Sequence, residues 1–215
     1  MDPAPTERDT EDVAAHRGRP FDASRDVALR DAALELLAEI GYDRLTTDSV
    51  AARAHASKTT IYRRWSGKAE LIVDALNCRK GSPAVPDTGT LQGDLLAIAR
   101  SATSTDSQFD AQLMLGLITA LARDAELRQV FRERLIDPLR AGIRQVFEQA
   151  MARGEVAKDR NLDLLVSLCP ALVIQHLLIS GEMPDAHFAE QVMNDVVLPL
   201  ATAPTSTPTR SSPRR

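Results

Sequence analysis

Leu45 to Leu71 reads LTTDSVAARAHASKTTIYRRWSGKAEL: two short helical patterns split by a tight turn, then the start of a third helix. Thr46 or Thr47 is placed to cap the first helix, whose Val50, Ala51 and Ala54 give a small apolar face that another helix can approach closely. The turn falls at His55-Ala56. Ser57 then caps a second helix with Ile61 and Trp65, four apart, facing inward. Lys58, Thr59, Thr60, Tyr62, Arg63 and Arg64 take up most of its remaining circumference. Hydroxyls, a phenol and three cations on one helix, with almost no exposed aliphatic bulk, suit the major groove of DNA, where they can bond phosphate oxygens and base edges.

The order and spacing of Thr46, Val50, Ala51, Ala54, Ser57, Thr60, Ile61, Tyr62, Trp65, Lys68 and Leu71 resemble the N-terminal motif of the TetR family of bacterial transcriptional regulators. Two positions depart from the family pattern. His55 stands where glycine is usual, so it must adopt or avoid a left-handed backbone, and Trp65 stands where phenylalanine is usual. The resemblance implies that Tyr62 and Lys68 touch phosphates, Lys68 from the N-terminus of the next helix, and that Thr47 makes a contact from the first motif helix. On the second motif helix Lys58, Thr59 and Arg63 are candidates for base edges, Lys and Arg favouring guanine and the threonine methyl a thymine methyl. Arg64 is expected nearer the groove wall, on phosphate, and Thr60 completes the candidate DNA-binding set.

Upstream, residues 22 to 41 read as one amphipathic helix carrying Leu29, Ala33, Leu36, Leu37 and Ile40, with Gly41 as its stop. It completes a three-helix unit. Arg17-Gly18-Arg19-Pro20 immediately precedes it, and such an arm can lie in a narrow A·T-rich minor groove, with Arg17 and Arg19 drawn to its potential.

Downstream, Ser66 is placed to cap a fourth helix through Leu71, Ile72, Ala75 and Leu76 to about Lys80. The stretch from Gly81 to Gly89, with its prolines, then marks a boundary or hinge. The spacing predicts further helices at about 90 to 104, 108 to 122, 124 to 153, 161 to 180 and 185 to 200, with a kink or restart at Pro138. The fold expected is therefore all-α: an arm at 1–20, a three-helix helix-turn-helix DNA-binding domain at 21–80, a C-terminal helical bundle for ligand sensing and dimerisation at 90–200, and a Pro/Ser/Thr-rich tail at 201–215 read as disordered. The bundle resembles the sensing half of the same family more loosely, through Arg123-Asp124-Ala125-Glu126-Leu127 and Arg153-Gly154-Glu155. By that resemblance the last two long helices pair with a second copy; Leu164, Leu165, Leu168, Leu172, Gln175 and Leu178, with Val192, Val196, Val197 and Leu200, supply a core face and a partner face. Phe109, Gln112, Met114, Phe147, Met151, Gln175 and His176 are candidate linings of an effector cavity, apolar walls with a few polar groups. Four phenylalanines and no Trp or Tyr between 81 and 200 favour an aliphatic or mixed ligand.

Charge is distributed to match. The whole chain of 215 residues carries 26 Lys/Arg against 30 acids, yet residues 17 to 80 hold 12 against nine and residues 81 to 200 hold 10 against 16. An acidic body repels DNA and turns the basic end towards it. No apolar run is read as approaching the 18 or so residues of a membrane span, and the acidic, proline-containing N-terminus lacks a basic-then-apolar signal, so a cytoplasmic protein is expected. Cys78 and Cys169 lie far apart and are read as buried structural thiols in a reducing compartment. HExxH, GxSxG, CxxC and GxxxxGK[ST] are lacking and His16, His55, His176 and His187 are isolated in sequence, so neither an enzyme nor a metal site is expected and no cofactor is implied. The partners expected are double-stranded operator DNA, a second copy of the chain and an unknown small-molecule effector, the outcome being repression. A helical interaction protein that had lost DNA binding is the alternative, and it would be expected to have shed Tyr62 or the recognition-helix cations.

Overall fold

A computed structural model of the chain describes residues 23–81, 85–102 and 107–203. All of its regular elements are helical: α1 Ala23–Arg44, α2 Thr47–Arg53, α3 Lys58–Tyr62, α4 Lys68–Lys80, α5 Leu91–Ala102, α6 Ser107–Arg123, α7 Ala125–Phe131, α8 Asp137–Arg153, α9 Leu162–Ser180, α10 Ala186–Gln191 and α11 Leu198–Thr202. Short π-helical stretches, Arg132–Ile136 and Val192–Val197, join α7 to α8 and α10 to α11. The arginines of the arm, Arg17 and Arg19, lie outside the described residues. The last helix runs beyond the expected start of the tail, because Ala201 is fully buried.

In α1 the periodic Leu29, Ala33, Leu36 and Leu37 are all buried, as their spacing demands. Gly41 then takes φ +74°, which breaks the regular helix and turns the chain at Tyr42 towards α2. Two hydrophobic clusters follow. In the first, α1 to α4 pack with Leu113, Leu117 and Ala120 of α6, Leu127 of α7 and Leu135. The second joins α5, α8, α9 and α11, with Phe147, Val146, Leu165, Met193 and Val197 among its members. The helix-turn-helix core is therefore not closed at residue 80. Gly116 shows how close the join is, since a Cβ there would lie 3.2 Å from the carbonyl oxygen of Leu37.

Three polar links bind α4 to the same body. Asn77 Nδ2 donates to the carbonyl of Arg134 at 2.8 Å. That oxygen lies four residues before Pro138, which has no N–H to return to it. Arg134 also pairs with Glu70 of α4, and Arg79 donates to Asp110 of α6 at 2.7 Å. The expected restart at Pro138 takes this form: a π-helical turn first, and α8 with the proline in its opening turn. Capping of α4 differs from expectation. Ser66 does not cap it; Gly67 occupies the cap position, and Glu70 reaches back to accept from both the N–H and the hydroxyl of Ser66, each at 2.7 Å.

The Arg153-Gly154-Glu155 segment anchors the start of α5. Gly154 ends α8 in the left-handed conformation. Arg153 donates to Asp94 at 2.9 Å and to Glu155 at 2.6 Å, Glu155 accepts the Leu91 N–H, and Asp94 accepts from both N–H and hydroxyl of Thr88. Burial opposes the charge of Asp94, but these donors outweigh it and hold its pKa below the usual carboxylate range.

The cysteines do not behave alike. Cys169 is half-buried beside Met193, with its thiol pushed up to about 11 by burial, whereas Cys78, expected buried, is exposed on α4. Since the thiolate is the nucleophile, iodoacetamide at pH 8 is expected to alkylate Cys78 and spare Cys169 in the folded protein. Peptide mass mapping of a time course checks this, and equal rates at the two sites would contradict the packing around Cys169.

Candidate nucleic-acid interface

Local chemistry builds the two motif helices. Thr46 caps α2 by accepting from the Ser49 N–H, and Ser49 returns the bond to the Thr46 N–H, both at 3.1 Å. Ser57 caps α3 in the same way through the Thr60 N–H. Between them His55 adopts φ +49°, the sole positive φ of a non-glycine residue among the described residues. Ile61 and Trp65 are buried as expected. The indole N–H of Trp65 donates to Asp74 of α4 at 2.9 Å, and Asp74 is also paired with Arg30 of α1 at 2.7 Å. The tryptophan thus packs where a phenylalanine would and adds a polar tie from the recognition helix to α1 and α4.

Outward from that anchor, Lys58, Thr59, Tyr62 and Arg63 are exposed. Tyr62 is hydrogen-bonded through its hydroxyl to the Thr47 hydroxyl at 3.1 Å. One helical turn away, Lys58 Nζ pairs with Asp48 at 2.7 Å. These two ties join the start of α2 to one edge of α3 and leave Thr59 and Arg63 on the neighbouring face.

Three expected DNA-facing residues are placed differently. Thr60 is buried, its hydroxyl 2.9 Å from that of Ser57. Arg64 is also turned inward: its side chain is only 9% exposed and pairs with Asp26 of α1, so it fastens the end of the recognition helix to the first helix. Lys68 extends its ammonium towards the turn after α1, donating to the carbonyls of Tyr42 at 3.1 Å and Leu45 at 3.4 Å and lying 4.1 Å from the Tyr42 ring centre. For Arg64 and Lys68 a long-range partner claims a side chain that local periodicity sends outward, whereas Thr60 is held by Ser57, three residues earlier. Asp48, which sequence reasoning passed over, belongs to the surface, and its position at the opening turn of α2 was the available signal.

The expected effector lining does not come together. Phe109 and Met114 pack against the first core, with Arg79 stacked 4.7 Å above the Phe109 ring. Phe147 is wholly buried in the second core and Met151 packs on it. Gln112 and Gln175 are exposed, and His176 contacts the Phe188 ring at 4.4 Å. A cleft between α4 and α6 is lined by Leu76, Arg79, Lys80, Asp110, Leu113, Met114 and Met183. Its volume of about 10 Å³ is room for no more than one water. Of the expected lining only Met114 borders this cleft, and Phe109, Phe147 and Met151 pack on the two cores.

Residues 29–75 match the family model described as bacterial regulatory proteins, tetR family, and residues 85–196 match the tetracyclin repressor-like C-terminal domain. A DNA-binding transcriptional repressor TetR of Mycobacteroides abscessus is 39% identical over 179 residues, covering 82% of this chain and 94% of its own. An HTH-type transcriptional regulator of Mycobacterium tuberculosis is 36% identical over 192 residues, 87% of this chain and 95% of its own. Among solved structures, a TetR family transcription regulator superposes with a TM-score of 0.62 at 28% identity, covering 81% of this chain and 97% of that one. The chain belongs to the TetR family. It is a DNA-binding transcriptional regulator with an N-terminal helix-turn-helix and a C-terminal helical domain.

Proposed function

We propose that this protein is a cytoplasmic repressor that binds a pseudo-palindromic operator as a homodimer and leaves it when a small molecule binds the helical body. The observation that carries the reading is the exposed set Lys58, Thr59, Tyr62 and Arg63 on a short helix whose opposite face, Ile61 and Trp65, is buried. Thr59 and Arg63 face base edges; Tyr62 and Thr47, already hydrogen-bonded to each other, meet phosphate; Lys68 brings charge to the start of α4 while holding it against the turn after α1. Arg17 and Arg19 extend the contact into a flanking minor groove.

Dimerisation is assigned to α9 and the segment 186–202. By length and composition α9 could cross a membrane, with a mean hydropathy of 2.0, contrary to the expectation that no run would qualify. Only 17% of its most apolar stretch is buried within the chain. Its exposed Leu164, Ala171, Ile174, Gln175, Leu178 and Ile179 fall on one face by helical spacing, and Leu200 of α11 is exposed too. An apolar face of this kind fits a second copy of itself.

Release is proposed to run through α4. It is fastened at Lys68 to the turn that precedes the helix-turn-helix and is tied to the sensing helices at Asn77, Glu70 and Arg79. An effector that opens the narrow cleft beneath Arg79 and Asp110 displaces the far end of α4. Because dimeric recognition helices must meet grooves about 34–36 Å apart, a few ångströms of change disengages one of them.

The test is a binding titration on a site selected from random duplexes. Log K is expected to fall with log salt at about −0.9 per phosphate contact. Tyr62→Phe is expected to weaken all sequences alike, and Arg63→Ala to lose about 1–3 kcal/mol at particular base pairs. Equal loss of discrimination from both would overturn the assignment of roles.

A further inference from the structure

Asp48 is the sole carboxylate between Thr46 and Trp65, and it stands on the surface assigned above to DNA. Its side chain is 67% exposed and that of its partner Lys58 is 51% exposed, with Nζ and Oδ1 2.7 Å apart. One turn further along the same edge, Thr47 and Tyr62 make the neighbouring cross-helix bond. An ion pair this open to water adds little to the fold. It does matter to a polyanion. A carboxylate on this rim repels phosphates, and it ties up the ammonium that would otherwise neutralise one, so it lowers affinity for any duplex regardless of sequence. Lys58 is charged throughout the neutral range, and the Asp48 bond raises its pKa further.

We propose that Asp48 is a specificity-determining residue: it suppresses non-specific DNA binding by holding Lys58 away from phosphates, and its charge is compensated only where a base edge offers an amino group. In the major groove those donors are the N4 amino group of cytosine and the N6 amino group of adenine, while Lys58 beside it donates to an acceptor such as guanine O6 or N7. Both halves of the pair are satisfied together only over a base step that presents donor and acceptor side by side. On a random step the carboxylate meets guanine or thymine acceptors and repels them. Specificity therefore comes from a penalty on wrong sequences as well as from attraction to the right one.

This inference rests on the DNA-binding reading above, and the experiment separates the two. Full-length wild type, Asp48→Asn, Lys58→Ala and the double variant are titrated against a selected site and a random-sequence duplex over a series of salt concentrations. Asparagine matches aspartate in size and accepts a helix N-terminal position, and circular dichroism confirms that each variant keeps wild-type helicity and thermal midpoint. Asp48→Asn is expected to bind the random duplex about three- to tenfold more tightly, with a salt slope steeper by about one phosphate contact. The ratio of selected-site to random affinity is expected to fall about tenfold, with the loss concentrated at one position that had demanded cytosine or adenine. In the Lys58→Ala background the change in salt slope disappears, because no ammonium remains to be released. If Asp48→Asn leaves random-duplex affinity unchanged or lowers it while the wild type binds its selected site, Asp48 has no such role. If the wild type selects no site at all, the DNA-binding reading fails first.

Discussion

Trp65→Ala is expected to unfold the helix-turn-helix and abolish DNA binding, at a cost of about 3–5 kcal/mol for a truncated core aromatic. Trp65 is 4% exposed, sits in the core shared by α1 to α4, and closes the inner face of α3 with Ile61. Trp65→Phe separates packing from polarity: the ring still fills most of the site, but Asp74 loses the indole N–H and keeps Arg30. A charge-assisted hydrogen bond of this kind, part-exposed, is worth about 1–2 kcal/mol, so the phenylalanine variant is expected to fold with a lowered thermal midpoint. Circular dichroism melts with operator titrations distinguish the two. A Trp65→Ala variant that melted like wild type would show that the buried indole is not part of the cooperative core. Trp65 is also the one tryptophan of the chain, so wild-type emission reports on this joint between recognition helix and α4.

The elements legible in the sequence are those fixed by neighbours in the chain. Thr46 and Ser57 cap helices through bonds spanning three residues, Gly154 and Gly181 end helices in the left-handed conformation, and the four-residue spacing of Ile61 and Trp65 guarantees a common face. The placements of Arg64 and Lys68, which periodicity does not give, depend on partners far along the chain. Arg64 turns inward because Asp26, on another helix, is there to meet it. Lys68 bends back because Gly41 breaks α1 and leaves the carbonyls of Tyr42 and Leu45 facing α4. Helical periodicity could send either residue to solvent, and nothing local distinguishes a cation reserved for phosphate from one claimed by a carboxylate 38 residues earlier.

The effector lining was illegible for a different reason. Met and Phe at helical spacing satisfy a core and a cavity equally well, and only packing decides between them. Phe147 meets no solvent, and Met114 packs against the first core at the edge of the narrow cleft beside α4, so Phe147 fills space and Met114 borders room for no more than one water. The same packing joins the C-terminal helices directly to the helix-turn-helix. Gly116 lets α6 approach the Leu37 backbone, and Asn77 occupies the carbonyl that Pro138 leaves free. A displacement of α6 or of the π-helical turn before α8 is transmitted to α1 and α4 by direct contact, since close-packed interiors shift as units.

Ile174→Glu with Leu178→Glu is expected to give a folded monomer that binds its operator about 10²- to 10⁴-fold more weakly, because coupling two half-sites contributes avidity of that size and a monomer forfeits it. Both residues are already exposed in the isolated chain, Ile174 at 47% and Leu178 at 53%, so the substitutions remove no core contact and secondary structure is expected to persist. Two carboxylates on each copy would face two on the other across a two-fold axis, and burying four like charges without partners is prohibitive. Sedimentation equilibrium reads the oligomeric state, and operator titration at fixed salt reads the affinity. The half-site affinity of the monomer is expected to retain its salt slope per contact, since Thr47, Tyr62 and Arg63 lie on α2, α3 and the turn after it, away from α9. A variant that remained dimeric with unchanged affinity would move the interface to another surface. A variant that became monomeric yet bound as tightly as before would show instead that a single helix-turn-helix suffices, and the requirement for paired half-sites would fall with it.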